Sequence, residues 1–332
     1  PRTDSFGRKP TVHLDPDMSF AQAFRRRDVT VNSMGIDVVS LELIDPYDGM
    51  ADLEKKILRA TDVTFFVQDP LRLFRVMQLA ARFDMKVDET LSQVCKTMDI
   101  STISVERIEQ EFLKLFTKSA YPSKGFVWLH YIDRLHDIFP KISFHKNFYQ
   151  RLDAVANHHK FTPEQKNMAS WALIVQGLTD DVLQQVAVNQ KINPDQILAL
   201  SSFLKQYIGS TDLIARIAKL SWYVLYVPMM IKQDNSVAYK WLAYWTQPYF
   251  NLQFLSEVAS CWYNQEDVEA FVIEAKNAKV LHHAEEPLLQ GTDLLNHAQG
   301  KELGDLLKKA YELQLHDGIH DKSKLIKKVL KK

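Results

Sequence analysis

The sequence predicts a mainly α fold, with a small β remnant at the front of a long helical body. Three observations lead there. From Val29 to Leu43 apolar and polar residues alternate, in VTVNSMGIDVV and then LELI, which predicts a hairpin pair of strands. After the turn cluster DPYDGM, punctuated by Asp45-Pro46 and Asp48-Gly49, the period changes. ADLEKKILRA, DPLRLFRVMQLAARF, SVERIEQEFLKLF and GFVWLHYIDRLHDIF all carry apolar residues at helical spacing. Beyond Pro140 the readable segments are helices separated by short breaks such as KFTPEQ, KINPDQ and IGSTD.

The ends frame this body. Residues 1–18, rich in Pro, Gly and charge, read as a flexible or extended segment, and DKSKLIKKVLKK reads as a short basic helix or frayed tail. The chain does not start with methionine, and PRTDSFGRKP reads as the middle of a loop, so further chain is expected upstream of Pro1.

A chain of 332 residues can bury a sizeable core and suggests two or more domains. Its apolar and charged fractions, 46% and 25%, are those of ordinary soluble protein. Formal net charge is zero, so any nucleic acid must be held by local basic patches; this argues against a DNA-coating role and leaves a local RNA site open. The two cysteines, Cys95 and Cys261, lie far apart without metal-ligand spacing, which fits a reduced, cytoplasmic compartment. No signal peptide is visible, and the run SWYVLYVPMMI, interrupted by Pro228, is too short to span a bilayer, so no membrane partner is expected.

Two stretches could carry chemistry. In DPLRLFR, Asp69 before Pro70 reads as a helix start, and Asp69, Arg72 and Arg75 follow at three-residue steps along one face. Alone, this fits a capped helix with one surface ion pair. A carboxylate offers acceptors only and a guanidinium donors only, so the same pair on a stiff helix can also present a fixed hydrogen-bonding edge to a nucleobase. In FRRRDVTVNSM the arginine run fits a solvated loop. It could also grip ribose and phosphates, with Asp28, Thr30 and Asn32 on one face of the strand that follows.

Together these stretches carry a resemblance. RRRDVTVNSM resembles the arginine–arginine–aspartate motif of the class II tRNA nucleotidyltransferases, the CCA-adding enzymes, and of the related bacterial poly(A) polymerases. IDPYDGMADLEKKILRA is similar to the family's next motif, an Asp-Gly turn leading into an acidic–leucine helix. VQDPLRLFRVMQLAARF resembles its nucleotide-selecting motif, and SVERIEQEFLKLF the neck motif after it. PRTDSFGRKP resembles the loop between the first two motifs. GTDLL with GKELGDLLKKAYELQLHDG resembles C-terminal helices found in many members. The resemblance is close over residues 1–140, faint through the middle and recognisable again over 291–318.

The resemblance implies the remnant of a polymerase-β-like nucleotidyltransferase head over residues 1–60 and a helical neck with the nucleotide-selecting motif over 61–118. An elongated helical body over 119–230 and a tRNA-binding helical tail over 231–332 would follow. It implies addition of CCA to tRNA 3′ ends from CTP and ATP. The alternatives are a poly(A) polymerase, an adenylate-only member that completes CCA with a partner enzyme, and a non-catalytic RNA-binding descendant. Residue by residue, Arg27 matches the arginine that contacts the incoming nucleotide, with Asp28 and Asn32 supporting it near the ribose. Asp69 and Arg72 match the pair that acts as a protein template for CTP and ATP, Arg75 a further nucleotide contact, and Arg107 the neck arginine that braces the site. The lysines at 322, 324, 327, 328, 331 and 332 are candidates for tRNA contact beside their reading as a solvated terminal helix.

The chain departs from the family's pattern in three places. Gln68 stands where glutamate is usual, keeping an acceptor but losing the charge. Gln78 stands where CCA-adding relatives often place another nucleotide-contacting arginine. The family's Gly-Gly loop and the Asp-x-Asp pair that holds Mg2+ belong before Pro1. No catalytic or metal-binding residue is therefore assigned here, and the chain alone is expected to be inactive. Asp45, Asp48 and Asp52 are read as turn and helix-start residues. MASWALIVQGL has Val175-Gln176 where some relatives carry the His-Asp doublet of a phosphohydrolase, and His158-His159 and His282-His283 lack neighbouring carboxylates, so no hydrolase site is expected.

Overall fold

The computed structural model describes residues 17–140, 142–144, 147–177, 200–231 and 236–330. PRTDSFGRKP, most of KINPDQ's surroundings together with the break itself, Lys331 and Lys332 lie outside these residues. The fold is mainly α, and the chain divides into two compact units, Pro1–Ser221 and Trp222–Lys332.

In the first unit, α1 (Phe20–Phe24) opens on a capping box between Ser19 and Gln22. After the arginine run the chain enters a 3₁₀ turn, Thr30–Asn32, where the sequence predicted a strand. The Asn32 and Ser33 N–H groups bond three residues back, and Ser33 Oγ donates to the Val29 carbonyl at 2.9 Å. That local hydroxyl bond uses an acceptor a strand ladder would need, and the alternating pattern is cut short. Among the described residues, strand pairing consists of two-residue pieces and an isolated antiparallel bridge between Val29 and Ala60: β1 (Gly35–Ile36) runs antiparallel to β2 (Leu43–Ile44), and β3 (Ile57–Leu58) parallel to β4 (Lys86–Val87).

The turn before α2 (Gly49–Glu54) is held by Asp45, whose two oxygens accept the Gly49 and Met50 N–H groups at 2.7 and 2.8 Å. A Cβ on Gly49 would lie 2.4 Å from the Thr30 carbonyl oxygen, so this close approach demands glycine. ADLEKKILRA is helical only to Glu54. Lys56 adopts φ 54°, turning the chain into β3, and its carbonyl accepts the Lys86 N–H at 2.8 Å.

Helices then dominate: α3 (Val63–Phe66), α4 (Arg72–Phe83), α5 (Glu89–Thr97), α6 (Val105–Lys118) and α7 (Ser123–Tyr131). After these come α8 (Leu135–Ile138), α9 (Phe148–Asn157) and α10 (Pro163–Val175). GFVWLHYIDRLHDIF is two helices, broken where Asp133 takes φ 58°. KFTPEQ ends in a capping box, Thr162 with Gln165, and places Pro163 at the first position of α10.

The core of this unit is aromatic. Phe112 of α6 is fully buried, with ring centroids 5.7 Å from Phe74 of α4, 5.6 Å from Phe139 and 5.0 Å from Trp171 of α10. Helix α4, which carries the candidate motif, is thereby fastened to α6 through side chains that keep few degrees of freedom.

The stretch Thr211–Met230 is, by length and composition, apolar enough to cross a membrane, which is longer than the run the sequence singled out. It is 56% buried inside the protein, as a core helix is. The second unit contains helices Ser236–Thr246, Leu252–Ser260, Gln265–Asn277, Gly300–Asp317 and Lys322–Leu330. Tyr239 packs on Phe271 at 5.2 Å, and Leu289, Leu294, Ala310, Leu325 and Val329 form the apolar cluster that seats the last two helices.

Phe112→Ala should lower the stability of the first unit by about 3–5 kcal/mol, since truncation leaves a cavity amid rigid rings. Denaturant titration followed by tryptophan fluorescence measures this.

Candidate functional site

The arginines of the opening motif take three different tasks. Arg25 Nε donates to Asp62 Oδ2 at 2.6 Å, and Asp62 caps α3 by accepting the Thr64 and Phe65 N–H groups at 2.8 and 3.3 Å. Hydrogen bonds from the Thr64 side chain and from Arg25, with those two amides, outweigh mild burial and draw the Asp62 carboxyl down to about 2. Arg26 lies over the Phe65 ring, 5.1 Å from its centroid. Arg27, over Phe24 at 5.6 Å, is the one of the three that lines a cleft of about 470 Å³.

Asp28 forms the floor. It is 6% exposed, and its Oδ1 accepts the Val29 N–H at 2.9 Å and Asn32 Nδ2 at 3.1 Å. Its Oδ2 accepts Arg75 Nε at 2.7 Å and pairs with Nη2 at 2.6 Å. Burial alone would raise this carboxyl, but the Arg75 charge and the bonds from Asn32, Arg75 and Val29 hold it below the usual value. Burial would likewise lower Arg75, and the Asp28 charge reverses the direction and raises it. Asn32 reaches Asp28 because the 3₁₀ turn brings them together, not because they share a strand face. Thr30 instead donates to the buried Asp52 at 2.7 Å, away from the cleft.

Asp69 and Arg72 sit at the start of α4, whose regular turns begin two residues after the Asp69-Pro70 signal. The first bonds, Arg72 N–H to Asp69 O at 3.0 Å and Leu73 N–H to Pro70 O at 3.2 Å, span three residues, a 3₁₀ start. Asp69 Oδ1 still accepts the Leu71 N–H at 3.3 Å. The two side chains are not paired with each other. Arg72 donates to the carbonyls of Phe65 at 2.6 Å and Arg26 at 2.5 Å, while Asp69 receives Arg107 Nη2 of α6 on both oxygens, at 3.0 and 2.9 Å.

The cleft is lined by Arg27, Asp28, Asn32, Asp69, Leu71, Arg72, Arg75 and Arg107. Four arginines face two aspartates, an excess of two positive charges suited to a polyanion with a hydrogen-bonding edge. Gln68 and Gln78 stand outside this lining. Gln68 is exposed on the approach to α4, and Gln78, within α4, is buried at 3% exposure.

Among known proteins, the family model for the poly(A) polymerase head domain matches residues 6–59. The CCA-adding enzyme of Pseudomonas putida is 30% identical over 189 residues, 55% of this chain and 49% of that protein. That of Francisella tularensis subsp. novicida is 36% identical over 139 residues, covering 40% and 36%. The chain thus spans about half, or less, of the length of these curated relatives. The Thermotoga maritima CCA-adding enzyme complexed with tRNA matches 94% of the chain and 73% of its own, at TM-score 0.59 and 18% identity. A CCA-adding enzyme complexed with CTP matches at TM-score 0.60 and 18% identity, covering 93% and 71%. The chain is thus similar in sequence to CCA-adding enzymes over part of its length and shares their fold.

One residue beside the cleft escaped the sequence reading. Glu111 of α6 is 2% exposed, pairs with Lys114 at 2.8 Å and adds its charge to those that raise Arg75. Its signal was available: an acid four residues after Arg107, hence on the same helix face. Asp45 and Asp52 are engaged in the turn and with Thr30 and Arg59, and the described residues hold no group of three or more His, Cys, Asp or Glu able to bind a metal. His282 and His283 line a separate cleft of about 240 Å³ within the second unit, and His158 lies against Phe161 at 4.0 Å.

Arg75→Met should destabilise the first unit by about 2–3 kcal/mol at pH 7, because it strands a buried carboxylate. In the native protein the lowered Asp28 contributes stability that is complete above its ordinary pKa of 3.8 and lost as pH falls through the lowered value. In the variant burial raises Asp28, so the deficit should shrink on acidification. Melting curves across pH on the two proteins and on Arg75→Met with Asp28→Asn check both the size and the sign.

Proposed function

We propose that this chain carries the nucleotide-selecting and RNA-holding part of a CCA-adding tRNA nucleotidyltransferase. The observation that carries the reading is the convergence, in one cleft, of Arg27, Asp28, Asn32, Asp69, Arg72, Arg75 and Arg107 from segments up to eighty residues apart. Asp69 accepts the exocyclic amino group that cytosine and adenine share, and a guanidinium donates to the adjacent ring nitrogen. Uracil and guanine offer a carbonyl where the amino group belongs and are refused. Arg27 and Arg75 hold the triphosphate side, and Asp28 and Asn32 stand near the ribose.

In the reaction, the 3′ oxygen of tRNA bonds to the α-phosphorus of CTP or ATP. The bond from that phosphorus to its bridging oxygen breaks, and pyrophosphate leaves. The donor set of the cleft does not fit Mg2+, since each of its aspartates faces arginine. The four-part division into head remnant, neck, body and tail belongs to the same proposal. The tail would meet tRNA phosphates through exposed Lys324 and Lys327. Lys322 and Lys328 are engaged with Asp293 and Asp317 at 2.7 and 2.6 Å.

A second reading, poly(A) addition, is favoured by the buried Gln78, which leaves the cleft without the further arginine of CCA-adding relatives. One assay separates them. With tRNA lacking its terminal CCA and single labelled nucleotides, the protein from the complete gene should add CTP and then ATP and reject UTP and GTP; use of ATP alone would favour poly(A) addition. Asp69→Ala should cut the preference for CTP over UTP by about 10- to 100-fold.

A further inference from the structure

The acceptor edge of Asp69 is already in use. Both oxygens face one nitrogen, Arg107 Nη2, at 3.0 and 2.9 Å, while the Leu71 N–H approaches Oδ1 from the helix side at 3.3 Å. A carboxylate that shares one –NH2 group between its oxygens turns its outer edge to that group. This is the edge along which the planar amino group of a cytosine or adenine must come. Resting on the base-reading assignment made above, we propose that Arg107 is a resident stand-in for the nucleobase amino group, displaced from Asp69 when a base is read.

Three features fit a displaceable partner. The Arg107 side chain is 50% exposed and stands on the first turn of α6, so water is ready to take it. It touches Asp69 through a single nitrogen, whereas Arg75 grips Asp28 with two, and an exposed pair of this kind is weak. Arg72 cannot substitute for it, because both its terminal nitrogens are held by the carbonyls of Phe65 and Arg26 at 2.6 and 2.5 Å. A base bearing the amino group replaces one donor by another and releases a cation at the rim of a cleft built for an anion. Uracil brings a carbonyl to the same point and cannot make the exchange.

A nucleoside without phosphates isolates this step, since Arg107 then has no triphosphate to attract. Cytidine binding to the 332-residue chain, measured by calorimetry, should be about two- to fivefold tighter for Arg107→Met than for the native protein, the size expected on removing a weak competing ion pair. Uridine should gain nothing. Raising salt screens the ion pair, so the native protein should bind cytidine more tightly as salt increases, and Arg107→Met should show no such trend. The salt series needs no variant and decides the question even if Arg107→Met fails to fold: cytidine affinity that is flat or falls with salt overturns the proposal. Equal or weaker cytidine binding by a folded Arg107→Met overturns it too. Asp69→Asn separates this from the underlying reading. If that variant binds cytidine like the native protein, or if the native protein binds none, base reading by Asp69 fails and the stand-in with it. If it loses cytidine while Arg107→Met gains nothing, only the stand-in fails.

Discussion

The forked pair between Asp28 and Arg75 is the constraint on which the cleft depends. The two residues are 47 apart in sequence, and one of them is a carboxylate taken almost wholly out of water. Such a group is tolerated only when a fixed cation and further donors surround it, and here Arg75, Asn32 and the Val29 amide do so. The pair ties the segment after α1 to the second turn of α4. Arg72, one turn earlier, repeats the tie through the Arg26 carbonyl. With Arg25 held by Asp62 and Arg26 set over Phe65, the geometry leaves Arg27 as the member of the run that lines the cleft.

The helical frame makes this arrangement stiff. Along α4 the charged residues 72 and 75 alternate with Leu73, Phe74, Val76 and Met77, all buried. Phe74 meets Phe112 of α6, and Phe112 is immediately preceded by the buried Glu111, which lies one turn after Arg107 on the same helix face. Arg72, Arg75 and Arg107 are therefore each flanked by a buried core residue. Order in the site comes from this packing together with the buried Asp28–Arg75 pair, while the more exposed ion pairs contribute little in water.

How much of this was legible in the sequence depended on the range of the interaction. Helical periodicity exposed α4 and α6, and the capping signals at Thr162-Pro163 exposed the start of α10, because each is written within one or two turns. The alternation from Val29 to Leu43 located a hairpin but overstated its length: Gly35–Ile36 pairs with Leu43–Ile44, while side-chain bonds such as Ser33 Oγ to the Val29 carbonyl are local rivals that a count of apolar residues does not see. The end of α2 was hidden for a related reason: Lys56 turns left-handed to pair with Lys86, thirty residues on. The cleft residues were found by motif, but their partners were not. Nothing in DPLRLFR announces that Asp69 will meet Arg107 rather than Arg72.

That difference in partners divides the two residues of the motif by mobility. Arg72 is anchored by two backbone carbonyls, and burial lowers its pKa against the opposing pull of Asp69 and Asp28, the mark of a guanidinium seated in structure. Asp69 is 31% exposed and is held by the tip of a long, half-exposed side chain. On the proposed reading, a template built of one fixed donor and one adjustable acceptor keeps its orientation while its acceptor changes partner. Two bases of different size that share an amino group beside a ring nitrogen pose that same requirement: a constant direction of hydrogen bonding with tolerance in position. A rigid Asp69–Arg72 pair would meet the first condition and fail the second.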